Sequence, residues 1–508
     1  MKVMLINYSA PILKDVVLAL QSKGVAIVYW TGAKDDFDSF KQDRESFPGT
    51  IFHDYYDAVR GIGAPGVNVE DFEVPGRDLL AKLANCEALV TPMFNRLDFK
   101  ESFGAHARQR LYHEYVRYWY GVLKKYQPEA IIFSSIPHLV YNYVLYSLAK
   151  ELGIKTIIHR SLQIASRILF FDDFQKYSNL AEAYNQTRDG HYQVDDLGED
   201  IRAYYQTQSV SSQDLTPWYR QSQYMKKRSR QMELLPSLPG VISSFVKFNF
   251  VGKLKIFFNK RRFLSVDQNN YYSFWSFKKW QWRWRQKRLG FKKEYLSLVQ
   301  EVDLDKKFIY VPLGTQPEMS TNPLGGIYDD QILMIETLSR AIPDDWQIYV
   351  KETPTQWTWR FSHLGRWPGY YHKLNNIPKV ILVPVEISTY KLIRQSQAVA
   401  TITGTAGLEA VLRGQPALIF GYPWFQHGEG IFMIDGEDTA RQAIERIKNG
   451  YKPDQQKVIN YLKAVDNVTL QAYFYEKFKF NKALTYEQNV KMISEALYQE
   501  LRKINVSP

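Results

Sequence analysis

Residues 398–421 read, in order, as a strand, a turn of small residues, a helix, a second turn and a second strand. The β-branched run 399–403 is the first strand, and the run 417–420 is the second. Leu408, Val411 and Leu412 recur at helical spacing, and Gly414 followed by Pro416 stops the helix. A helix that opens directly after such a turn aims unpaired backbone N–H groups, and the positive end of its dipole, at whatever lies in front. Thr403, Gly404, Thr405, Ala406 and Gly407 are therefore candidate contacts for a phosphate or pyrophosphate, with the two threonines adding hydroxyl donors. Glu409, in the first turn, either pairs with the dipole or accepts hydrogen bonds from ribose hydroxyls.

The rest of the chain repeats this grammar. Strands at 2–7, 26–30, 130–134 and 155–159 alternate with helical patterns, as expected of a doubly wound sheet over about 1–200. A second set of strands at 308–312, 346–351, 380–383 and 399–403 alternates with helices at 329–341 and 388–395. The expected fold class is α/β, with two Rossmann-type domains facing a cleft and ligands at the carboxyl ends of their strands. The domains are placed at 1–215 and 295–450, with a basic, aromatic insert at 216–294 and C-terminal helices at 451–508 packing back on the body.

Charge is concentrated in the insert. Of the net +12, residues 220–293 carry +17, from 19 Lys and Arg against Glu233 and Asp267, which leaves −5 for the remainder. Four of the twelve tryptophans fall between 275 and 284. Tryptophan at a bilayer interface and cations facing anionic lipid account for this mixture, so an anionic membrane surface is the expected partner of 220–293. Nucleic acid and a solvated insert are the rival readings, and nucleic acid is not expected as a partner. No run of 18 apolar residues suggests a spanning helix, and residues 1–8 read as a first strand rather than a secretion signal. The single cysteine, Cys86, excludes an intramolecular disulfide and a cysteine-based zinc site, in keeping with a cytoplasmic protein on the inner face of the membrane.

Several motifs occur in a telling order: YVPLGTQPE at 310–318, TNPLGG at 321–326, IYVKETP at 348–354, LIRQS at 392–396 and TITGTAGLE at 401–409. This order resembles the bacterial capsule polysaccharide biosynthesis family, whose members are GT-B glycosyltransferases and include β-Kdo transferases using CMP-Kdo. The resemblance covers about 300–425, extends weakly to 133–138 and to Asn95 and Arg96, and leaves out the insert. It implies transfer of a sugar from a CMP-Kdo-like or other nucleotide-sugar donor to a growing, lipid-linked capsular or surface glycan. The nucleotide-sugar is a co-substrate, no cofactor is expected, and neither the spacing of His, Cys, Asp and Glu nor the GT-B type calls for a metal. The chain departs from the family at Thr353, where Lys-Glu-His-Pro is usual.

Within this frame Lys351, ending a strand near the cleft, is a candidate to neutralise the leaving phosphate. Glu318 and Gln316, in the loop after 308–312, are candidates to contact the donor sugar, Glu318 also to assist proton transfer. On the acceptor side, His138 and Asp98 are candidate bases, with Arg96 a sugar contact; Asp172 and Asp173 are a further acidic pair, and Asp329 and Asp330 read as a helix cap. The alternative functions are a non-catalytic membrane-associated subunit of a polysaccharide assembly complex, a polyol-phosphate transferase and a nucleotide-sugar epimerase.

Overall fold

The computed structural model describes residues 1–98, 100–162, 164, 167–210, 261–262, 264–267, 271–359, 361–475 and 484–503. Most of the basic insert, 211–260, lies outside the described residues.

The N-terminal half is built on a sheet of β1 (Lys2–Ile6), β2 (Ala26–Gly32), β3 (Ile51–Asp54), β4 (Ala130–Phe133), β5 (Lys155–Ser161) and β6 (Arg167–Phe171). Two further strands, β7 (Arg261–Arg262) and β8 (Tyr271–Tyr272), form a small antiparallel hairpin. The second sheet holds β9 (Phe308–Pro312), β10 (Gln347–Lys351), β11 (Val380–Leu382), β12 (Ala398–Thr401), β13 (Ala417–Ile419) and β14 (Ile431–Met433). It is parallel throughout, in the order β11-β10-β9-β12-β13-β14. A last strand, β15 (Thr469–Gln471), joins the first sheet, whose order is β15-β6-β5-β4-β1-β2-β3. There β1 to β5 are parallel, while β6 and β15 run antiparallel to their neighbours. Both sheets thus start at a central strand, wind outwards, and then reverse: two Rossmann-type halves.

Parallel strands covered on both faces must be apolar along their whole length. Accordingly β1, β4, β9 and β12 present almost unbroken buried runs. Trp30 is enclosed by Phe37, Phe40, Phe47 and Phe52 on one face of the first sheet. The tail returns to this half, where the Gln455–Val468 helix packs on Ser178–Thr187 and Tyr486–Arg502 packs on Ile12–Gln21. The three residues of β15 are too few to carry a period, and the sequence reading of this tail contains helices only. A boundary drawn at 294 falls inside one continuous helix, Phe274–Leu298. Its Tyr295 is fully buried and donates from its hydroxyl to the Val383 carbonyl, so these last turns belong to the second half.

Two buried histidines make the first half sensitive to acid. The His53 ring bonds the Ile62 carbonyl through Nε2, which must therefore carry the proton, while Nδ1 accepts from the Tyr29 hydroxyl. Burial lowers its pKa to about 4. His159, stacked on Phe474 at 4.0 Å between ring centroids, is lowered by burial to about 3. A histidine whose folded pKa lies below its unfolded value of about 6.5 binds fewer protons when folded, so acid favours the unfolded chain. Stability is expected to fall as the pH drops from about 6.5 towards the folded values, by on the order of 3 kcal/mol per histidine. Urea unfolding at pH 7 and pH 4.5 measures this, and His159→Phe should show the smaller loss. Identical pH dependence in the variant and the parent would remove His159 from this account.

Candidate functional site

Each sheet has one position where the strand order reverses, and the loops leaving the strands there diverge into a crevice. In the second sheet this lies between β9 and β12. The loop after β9 is held from beneath by Gln331, whose side chain accepts from Gly314 N at 2.7 Å and donates to the Gly314 carbonyl at 3.0 Å. Gln316, a candidate sugar contact, uses both ends of its amide inside the domain. Its Nε2 donates to an Asp329 carboxylate oxygen at 2.8 Å, and its Oε1 accepts from Gln331 at 2.7 Å and from Arg366 at 2.6 Å. Asp329 and Asp330 have separate tasks. Asp330 caps the Gln331–Ala341 helix, whereas Asp329 takes hydrogen bonds from Gln316 and, at 3.2 Å, from Asn322.

Arg366 and Glu352 form an ion pair at 2.9 Å with both side chains wholly excluded from water. Glu352 also accepts from the Tyr371 hydroxyl at 2.6 Å, and the Arg366 guanidinium lies 4.5 Å over the Tyr370 ring. The pair anchors the ends of β9 and β10 to each other, since Arg366 also donates to the Gly314 carbonyl. Beside it, the hydroxyls of Thr315, Thr355 and Thr353 form a chain with spacings of 2.7 and 2.8 Å. Thr353, at the position where histidine is usual, therefore ends a row of three hydroxyls.

Lys351 is buried, and its ammonium donates to the Ile387 carbonyl and, at 3.2 Å, to the Thr389 hydroxyl. It thereby fastens the start of the Thr389–Gln395 helix to the end of β10. In the turn after β12, the Thr403 hydroxyl donates to the Ser320 carbonyl at 2.5 Å, strapping the β9 loop to β12. Gly404 precedes the Thr405–Val411 helix, and its N–H bonds the Thr401 hydroxyl at 3.2 Å. Thr405 and Ala406 are half-buried in the first turn. Gly407 has a packing role: a Cβ there would lie 2.7 Å from Ile419 Cδ1. Glu409 is buried, and its backbone carbonyl accepts from Arg413 at 2.8 Å.

The first sheet reverses between β1 and β4, and His138 stands in the loop after β4. Its Nδ1 lies 2.7 Å from the Ile136 carbonyl and must donate, so the lone pair is on Nε2. Burial, with the neighbouring Arg96 charge, lowers its pKa to about 4, and the ring is neutral at pH 7. Arg96 connects the halves. It donates to the His138 carbonyl on one side and to the Asn322 carbonyl and, at 2.6 Å, the Glu318 carbonyl on the other. Burial lowers the Arg96 pKa to about 10, with Asp329 and Glu318 opposing that shift. The Glu318 side chain is exposed at this junction and accepts from Ser320 at 3.3 Å.

Asp98 has a different place from the one a general base needs. It is buried and accepts from the Ser102 and Phe103 N–H groups, both at 2.9 Å, and pairs with Arg108 at 3.3 Å. It anchors the loop before the Ala105–Tyr126 helix. Asp172 and Asp173 pair with Lys155 and Lys150. Among the described residues, no three His, Cys, Asp or Glu side chains cluster as metal ligands, and no helix is long and apolar enough to cross a membrane. Sequence reasoning missed Arg366, Gln331 and Asn322, which hold the crevice loops. Arg366 sits in an irregular stretch with no periodic signal, and only its proximity to the Pro-Gly turn at 368–369 marks it as loop.

Residues 253–473 match the model of the family described as capsule polysaccharide biosynthesis protein. No curated protein matches the chain. Among solved structures, it is similar to the β-Kdo 2,4 transferase of Thermosulfurimonas dismutans KpsC at 11% identity, covering 66% of this chain and 79% of that one, with a TM-score of 0.29. The β-Kdo 2,7 transferase of the same protein gives 10% identity, 68% and 80% coverage and a TM-score of 0.26. The UDP-GlcNAc 2-epimerase of Methanocaldococcus jannaschii, in complex with UDP-GlcNAc and UDP, gives 12% identity, 89% and 94% coverage and a TM-score of 0.20. At these scores the likenesses decide nothing beyond what the strand orders already establish.

Proposed function

We propose that this chain, whose residues 253–473 match the model of the capsule polysaccharide biosynthesis family, is a glycosyltransferase. It moves a sugar from a nucleotide-activated donor to a growing surface glycan. The acceptor is lipid-linked and is met at the inner face of the cell membrane. One observation carries the reading: Arg96 ties the loop of His138, at the reversal point of the first sheet, to the loop of Glu318 and Asn322, at that of the second. The two places where such sheets bind ligands therefore face each other.

The donor nucleotide sits at the ends of β9 and β12. There the Thr405 hydroxyl and the first N–H groups of the helix, at Thr405 and Ala406, are offered to the phosphate, while Thr403 and Gly404 hold the turn, and Lys351 adds its charge at the neighbouring strand end. The row of Thr315, Thr355 and Thr353 supplies hydroxyls on the β10 side. His138, neutral and with its lone pair on Nε2, takes the proton from the attacking acceptor hydroxyl. Negative charge then builds on the departing phosphate, and the sugar passes to the acceptor oxygen. Glu318 lies beside Arg96, positioned for the donor sugar.

A thermal-shift series with CMP, UDP, GDP and their sugars tests this. A nucleotide at a hundredfold excess over its Kd stabilises the folded chain by about 2.7 kcal/mol. One nucleotide should raise the midpoint, and its sugar should be consumed when an acceptor glycan is added. A chain that binds none of them would be a non-catalytic subunit of an assembly complex.

A further inference from the structure

The Phe274–Leu298 helix carries large apolar side chains on its outer face at a strict spacing of seven. Trp275, Trp282, Leu289 and Leu296 are 67%, 62%, 45% and 43% exposed. Seven residues are close to two helical turns, with a drift of only about 20° per repeat, so the four form one stripe roughly 32 Å long. Lys278, Lys279, Arg283, Arg285, Lys292 and Lys293 surround it, all exposed. The helix has one acid, Glu294, and this is turned into the body, where it accepts from Gly369 N and Tyr371 N.

The opposite face is pinned to both halves of the molecule. Trp280 packs edge-on against Tyr272, over which Lys100 of the first half sits at 4.4 Å. Lys287 pairs with Glu101 at 2.6 Å. Trp284 stacks on His363, and Tyr295 reaches the Val383 carbonyl in the second half. The stripe is thus held outwards by contacts on its back.

We propose that this face docks the protein on an anionic phospholipid bilayer, with the tryptophans and leucines entering the headgroup boundary and the cations meeting lipid phosphates. Charge complementarity selects this occupant. In a coiled coil with a second copy, the positions three and four residues beyond each stripe residue would have to be apolar. Here they are Lys278 and Lys279, Arg285 and Gln286, and Lys292 and Lys293, so two copies would set cation against cation. Nucleic acid would use the cations and tryptophans but gains nothing from two exposed leucines, which cannot stack on bases. The proposal goes beyond the transferase reading and does not depend on which nucleotide binds.

Flotation of the full chain with phosphatidylcholine vesicles, and with vesicles containing phosphatidylglycerol, tests it. The protein should float with the anionic vesicles only. Flotation should decline with salt, as the Debye length shrinks from about 10 Å at 0.1 M to about 3 Å at 1 M. Two variants separate the parts: Trp275→Ser with Trp282→Ser, and Lys278→Glu with Lys279→Glu, Arg285→Glu and Lys292→Glu. Each should lower the bound fraction about tenfold or more while nucleotide-induced stabilisation is kept. Equal flotation on both lipids, or none, would overturn the proposal. So would parental binding by both variants, which would move the contact to another part of the chain. Binding to a single-stranded oligonucleotide that the tryptophan variant abolishes, without loss of flotation, would assign the face to nucleic acid instead.

Discussion

Glu352→Ala is expected to destabilise the folded chain by about 3–5 kcal/mol, because it leaves the Arg366 guanidinium buried without its counter-charge. The ion pair itself is a modest net contributor, since taking two charges out of water offsets much of their attraction. Its one-sided removal is costly because the surviving charge keeps its desolvation penalty. Four contacts of Glu352 would go at once: two from Arg366, one from Tyr371 and one from Thr353 N. Urea unfolding with intrinsic fluorescence measures the change. The double variant Glu352→Leu with Arg366→Met should recover much of the loss, because neither charge is then stranded. A single variant as stable as the parent would mean that water reaches Arg366.

His138→Ala is expected to lower sugar transfer by about 10²–10⁴-fold, the usual contribution of a positioned base. The thermal midpoint should move little, because the ring makes one hydrogen bond, to the Ile136 carbonyl. Asp98→Asn should give the opposite pattern, disturbing the 98–103 loop and its Arg108 contact while transfer per folded molecule is preserved. Single-turnover rates with the donor identified by thermal shift, set beside melting midpoints, distinguish the two. If Asp98→Asn lost transfer at unchanged stability and His138→Ala did not, the roles would be exchanged.

These contrasts show where a linear reading ran out. Asp98 and His138 look alike in sequence, each a titratable residue at a loop near a helix start. They differ in what the folded chain puts against them. Asp98 meets two N–H groups and Arg108, while His138 meets a carbonyl that fixes its tautomer. In the same way, Gly404 and Gly407 belong to one small-residue turn, yet Gly407 is small because Ile419 lies where its Cβ would go.

The apolar periods of the chain were sufficient to place the strands β1, β2, β4, β5, β9, β10, β11, β12 and β13 and some of the helices between them, because burial on both faces of a parallel sheet imposes a continuous apolar run. The motif order from 310 to 409 was sufficient to point to the capsule family. Only the tertiary structure decided that β15 closes the first sheet, that the Phe274–Leu298 helix is shared by both halves, and that Arg96, Asn322, Asp329, Gln316, Gln331, Arg366 and Glu352 form one connected polar system. Local sequence records the surface a residue buries, since that recurs with the period of its own helix or strand. The partner of a buried polar atom leaves no such period. It is chosen among residues far apart in the chain, as between Arg96 and Asn322, 226 positions apart, by where the two sheets bring their loops.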